Sequence, residues 1–139
     1  MEQATRRPGW VWPISGFFLA ASIAISLSFI LALAHTIPVT AAQQDYLDNL
    51  TPLDFMIIGS VMTCNLLGAV LLVLLRGFAV PLFVVGWTFG VAQLLWHIAG
   101  KGWIAAAGST GVSGFAAANL LSLVIIGYAV HLSRRGILR

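Results

Sequence analysis

This sequence predicts an all-α integral membrane protein, a four-helix bundle with both termini in the cytoplasm, and three observations carry that prediction. Of 139 residues, 60% are hydrophobic and 8% are charged, which is more apolar surface than a soluble domain of this size can hide from water. Four apolar runs, Trp12–Ala34, Leu53–Leu75, Phe78–Ala99 and Val112–Leu132, each reach the roughly 20 residues that a bilayer crossing requires. The arginines are one-sided. Arg6 and Arg7 precede the first run, Arg76 separates the second from the third, and Arg134, Arg135 and Arg139 follow the fourth. If the runs alternate in direction, every arginine falls on one side, with Asp45, Asp48, Asp54 and Lys101 on the other. The positive-inside rule makes the arginine side cytoplasmic. The net charge of +3 therefore reports topology and implies no nucleic-acid partner. The expected location is the bacterial cytoplasmic (inner) membrane, with residues 1–139 as a single multi-pass domain whose first partner is the lipid bilayer.

The first run is approached through RRPGWVW, which sets Trp10 and Trp12 at the inner interface, where aromatic belts lie. Arg6-Arg7 followed by an apolar stretch and Ala32-Leu33-Ala34 also has the outline of a cleaved signal. The stretch is longer than the roughly 7–15 residues of a signal core, and Pro8 and Gly9 follow the arginine pair, so a retained helix is the expectation. Along it Gly16, Ala20, Ala24 and Ser28 recur every fourth position. Helices in lipid gain nothing from hydrophobic burial against one another and associate through close backbone approach, so such a stripe marks a helix-packing face.

The loop from about His35 to Thr51 contains TAAQQDYLDNL, in which Tyr46, Leu47 and Leu50 give a short helix a weak apolar side. It ends in Thr51-Pro52-Leu53-Asp54. Thr51 is placed to cap the second helix, Pro52 suits its first position, and Asp54 stands three residues after the cap in a capping box. Asp54 is also the one carboxylate near a helix interior, and intramembrane ionisable groups are functional suspects. Asn65 falls at the centre of this helix beside Thr63 and Cys64.

Leu75-Arg76-Gly77 is so short that the second and third helices must be antiparallel neighbours. Pro81 lies in the first turn of the third, where it is tolerated. Gly86 and Gly90 form a GxxxG spacing, and the same stripe continues to Gln93, His97 and Gly100. Small and polar residues therefore share the face on which backbones come closest, with Gln93 and His97 turned into the bundle. Trp96 and Trp103 belong to the outer interface; Trp87, at mid-membrane, packs between helices. A small-residue loop leads to the fourth helix, which carries Asn119 and Ser122, with His131 at the cytoplasmic boundary.

Several chemistries find no support. One cysteine, Cys64, provides neither a disulfide nor a dithiol pair. The first helix has no carboxylate for proton coupling, no nucleophile has a base at readable spacing, and no helix is broken at mid-membrane as in secondary transporters. No catalytic residue, cofactor or metal is assigned. His35, His97 and Asp54 share one depth on three helices, which leaves open a divalent metal or, through His35 and His97, a haem.

At Tyr46-Leu47, Thr51-Pro52 and the run ending LLVLLRGFAVPLF, the chain resembles a group of small four-helix membrane proteins of alphaproteobacteria. They share an aromatic stretch after basic residues, a polar loop ending in Thr-Pro and a Leu-rich helix closing in Arg before an Ala-Val turn. The resemblance spans roughly the first 85 residues. It implies the same topology. Some of these proteins are called sugar transporters, a description that names no residue to carry over, and Met62-Thr63-Cys64-Asn65 here replaces a Trp-rich centre.

The function expected is non-catalytic: an accessory or scaffolding subunit of a larger membrane complex or of a homo-oligomer. One small-residue face would serve packing within the chain and another would remain for other membrane subunits or a second copy. The competing expectation is a carrier for a small neutral solute, lined by Asn65, Gln93 and Asn119. Haem or metal binding at the outer face is the remote third.

Overall fold

Five helices follow one another in the computed structural model, which describes residues 11–138: α1 (Val11–Leu33), α2 (Ala41–Asp48), α3 (Pro52–Val73), α4 (Ala79–Gly100) and α5 (Trp103–Arg134). All except α2 are long and apolar enough to cross a membrane. At 1.5 Å per residue, the 22 residues of α3 or α4 span about 33 Å, against a hydrocarbon core of about 30 Å. Arg6, Arg7, Trp10 and Arg139 lie outside the described residues.

The hairpin of α3 and α4 is the centre of the bundle. Its turn is built by a helix stop at Leu75, which takes a left-handed conformation with φ 56°. The Leu75 and Arg76 N–H groups donate to the Leu72 and Leu71 carbonyls at 3.0 and 2.8 Å, so backbone groups that α3 would leave unpaired are satisfied. Beyond the turn the helices press together at glycine. A Cβ on Gly86 would stand 3.1 Å from both Cys64 Cβ and Asn65 Oδ1, and one on Gly68 would stand 3.0 Å from the Phe83 ring. Gly90 continues the contact against Val61. The GxxxG stripe of α4 is thus used inside the chain.

Around the hairpin, α1 packs along α3 and α5 along α4, while α1 and α5 meet at most at isolated points. The buried apolar core sits at the end of the bundle that holds the α3–α4 turn, where Val11, Leu72, Ala79, Phe83, Ala129 and Leu132 cluster. The opposite end is covered by α2.

Of the two small-residue stripes, the one on α1 is left open, and one helix starts earlier than its apolar run suggests. The stripe Gly16, Ala20, Ala24 and Ser28 of α1 is exposed throughout, and nothing lies within 4 Å of a Cβ placed on Gly16. α1 instead directs Phe18, Ser22 and Ser26 inward. The fourth spanning helix begins at Trp103, nine residues before Val112. Its alanines propagate helix well, and the break that the glycines and serines foretold is confined to Gly108, with φ 63° and ψ −177°, a conformation essentially restricted to glycine. That kink lets the first turn of α5 bring the Trp103 ring onto Phe115, edge to face at 5.3 Å between centroids.

Candidate functional site

At the α2 end the loops and helix ends collect the polar side chains that the spans exclude. α3 begins as its sequence dictates. Thr51 has extended backbone, Pro52 occupies the first turn, and the capping box is complete. The Asp54 N–H donates to Thr51 Oγ1 at 3.4 Å, while Asp54 Oδ2 accepts from the Thr51 N–H at 2.8 Å and the Thr51 hydroxyl at 2.7 Å. A cap uses one carboxylate oxygen. The other, Oδ1, faces across to α4, where His97 Nε2 lies 3.1 Å away.

His97 and Asp54 are each only 2% exposed, and both ring nitrogens of His97 are engaged. Nδ1 lies 2.6 Å from the hydroxyl of Tyr46 on α2. Lys101, just beyond α4, places its ammonium 3.3 Å from Asp54 Oδ2 and donates to the Asn49 carbonyl at 2.8 Å. Thr51 and Lys101 surround Asp54 with donors, and the His97 tautomer that donates from Nε2 to this carboxylate leaves Nδ1 to accept the Tyr46 O–H. A chain of donation results, Tyr46 to His97 to Asp54, across three helices. Burial, then the charge on Asp54, pushes the Tyr46 phenol up to about 12, which keeps it a donor at every physiological pH.

Below this chain all five helices contribute to a pocket of about 250 Å³. Phe29, Trp103 and Phe115 form aromatic walls, and polar atoms come from Tyr46, Gln93, His97 and the Trp103 indole. A second cleft, of about 130 Å³, opens where α1 and α5 diverge; it is mostly apolar, with Ser22, Ser26, Asn65 and Ser122 in its lining.

The other residues singled out from the sequence are dispersed. Asn65 is half-buried beside Gly86. Asn119 donates to the Phe115 carbonyl of its own helix at 3.0 Å, and Ser122 to that of Ala118 at 2.8 Å. Asn65 and Gln93 therefore line separate cavities, and Asn119 lines neither. His35 is exposed and left-handed at φ 52°, closing α1 with the hydrogen-bond pattern found at Leu75. No three His, Cys, Asp or Glu side chains among the described residues are grouped to hold a metal.

Sequence reasoning placed Asp54 and His97 at one depth but did not join them, and it missed Tyr46 and Lys101 as their partners. A signal for Tyr46 was present. Thr40 and Gln43 form a second capping box that starts α2 and so fixes the face on which Tyr46 emerges. No protein-family model, curated protein or solved structure matches the chain.

Proposed function

We propose that this chain is a non-catalytic, multi-pass protein of the bacterial cytoplasmic membrane that acts as an accessory or scaffolding subunit, assembling with other membrane subunits or with copies of itself. One observation carries the reading: its two small-residue stripes are used differently. The Gly86–Gly90 face is filled by α3, whereas the Gly16, Ala20, Ala24, Ser28 face is exposed along α1. A face of small side chains is poor at holding lipid and well suited to a second helix backbone. The orientation belongs to the same proposal. Arg76, Arg134 and Arg135 lie at one end, Asp45, Asp48 and Lys101 at the other, and the arginine end is assigned to the cytoplasm. The carrier alternative has less support, because its three polar residues share no cavity.

The test is the native mass of the protein, extracted from its own membranes in mild detergent. Wild type is expected in a reproducible larger complex. Ala20→Leu with Ala24→Leu should release it as a monomer of unchanged helical content, since both positions are exposed. A wild-type monomer, or a complex indifferent to those substitutions, would overturn the proposal.

A further inference from the structure

The pocket beneath α2 has a definite inventory of unused hydrogen-bonding groups. Asp54 and Lys101 neutralise each other, and both nitrogens of His97 are occupied. That leaves no free charge to recruit an ion. Besides the Trp103 indole N–H, two lining side chains, Gln93 and Tyr46, keep hydrogen-bonding capacity. The Gln93 side-chain amide has no partner within the described residues and offers both donor and acceptor. With the Tyr46 O–H directed at His97 Nδ1, the phenol oxygen still has lone pairs with which to accept a hydrogen bond from the cavity. Because its O–H is donated into a chain ending on a carboxylate, that oxygen is polarised into a better acceptor than an isolated phenol.

The walls restrict the shape. Phe29, Trp103 and Phe115 are flat faces and edges, which favour a flat ring in offset or edge contact. The occupant must be uncharged, flat, soluble in the membrane and equipped with an O–H to donate.

We propose that this pocket binds the ring of a lipophilic hydroquinone, with one hydroxyl donated to Tyr46 and a ring oxygen held by Gln93. The occupant bridges α2, through Tyr46, to α4, and therefore holds α2 against the bundle. This inference does not depend on the assembly reading, and either can fail alone.

The experiment uses the full-length protein in phosphatidylcholine nanodiscs. The probe is radiolabelled decyl-1,4-benzohydroquinone, kept reduced under nitrogen, with partitioning into empty nanodiscs subtracted. Saturable binding of one probe per chain is expected. The 1,4-dimethyl ether of the probe keeps the ring and tail but cannot donate, and should bind about tenfold more weakly. Gln93→Leu should weaken the hydroquinone by a similar factor. Uptake no greater than that of empty nanodiscs would overturn the proposal. So would equal binding of ether and hydroquinone, a comparison made on the wild type and thus independent of how any variant folds.

Discussion

Replacing His97 with Leu would separate two roles that one side chain performs. Leu has comparable bulk, so the main loss is two hydrogen bonds. The bond from Tyr46 ties α2 to the bundle, and a neutral bond of this kind contributes about 1 kcal/mol net. Leaving a half-buried hydroxyl without its acceptor adds up to about 1 kcal/mol more. Undocking of α2 should therefore become easier by about 1–2 kcal/mol, a factor of roughly 5 to 30. The bond onto Asp54 lies between α3 and α4 and ends on a charge, where about 1.5–3 kcal/mol is the usual contribution. Thr51 and Lys101 still hold the carboxylate, which puts this loss at the lower end of that range. Native-state hydrogen exchange distinguishes the two. In His97→Leu, amides of residues 41–48 should exchange 5 to 30 times faster, and the most protected amides of α3 and α4 should lose about 1.5 kcal/mol of protection. Tyr46→Phe should reproduce the first effect without the second. If exchange in α2 is unchanged by either substitution, or if Tyr46→Phe weakens α3 and α4 as much as His97→Leu does, the chain of donation is not what holds the segment.

Gly86→Leu should destabilise the bundle by about 1–3 kcal/mol in denaturant titrations, because a Cβ there already stands 3.1 Å from Asn65 and Cys64 and overpacking a close contact costs that much. Gly16→Leu, made where nothing within the chain lies within 4 Å, should leave the midpoint of the dissociated monomer the same within error. In a Tyr128→Phe background Tyr46 is the one remaining tyrosine, and its phenolate absorbance near 295 nm should rise with a midpoint near 12. A phenol whose pKa is raised in the folded state adds stability that is complete below its ordinary pKa of about 10 and is lost as pH climbs through 12. Protection of residues 41–48 should accordingly hold to about pH 10 and fall beyond it. A midpoint near 10 would show that Tyr46 is not buried against the Asp54 charge.

The spans were legible because the lipid constraint acts on composition and length, which a sequence displays directly. The start of α3 was legible for a similar reason: Thr51, Pro52 and Asp54 act within four residues of one another. The glycine stripe of α4 could be found, since i, i+4 spacing defines a face, but spacing does not name the helix that fills it. For the same reason the stripe of α1 could be drawn without knowing that α1 turns Ser22 and Ser26 inward. The site itself was only half visible. Asp54 and His97 are 43 positions apart, and Tyr46 and His97 are 51. No periodicity links such positions; only the packing of three helices does. His35 illustrates the reverse case. A histidine at the right depth drew attention as a ligand, whereas its backbone shows it ending a helix. The late start assigned to the fourth helix came from treating a glycine- and serine-rich stretch as a loop, when a single residue, Gly108, absorbs the whole irregularity.

The two ends of this bundle are fastened by unlike materials, and the molecule behaves as a clothes-peg with one jaw of each. At the α3–α4 turn the grip is a cluster of interlocked Leu, Ala, Val, Phe and Ile side chains with no charge to remove. At the α2 end hydrogen bonds and charge join Tyr46, His97, Asp54, Thr51 and Lys101, beside the buried Leu50 and Ala106. Buried charge and the hydrogen bonds around it are therefore concentrated at one end of the molecule, and the other end is held by apolar packing.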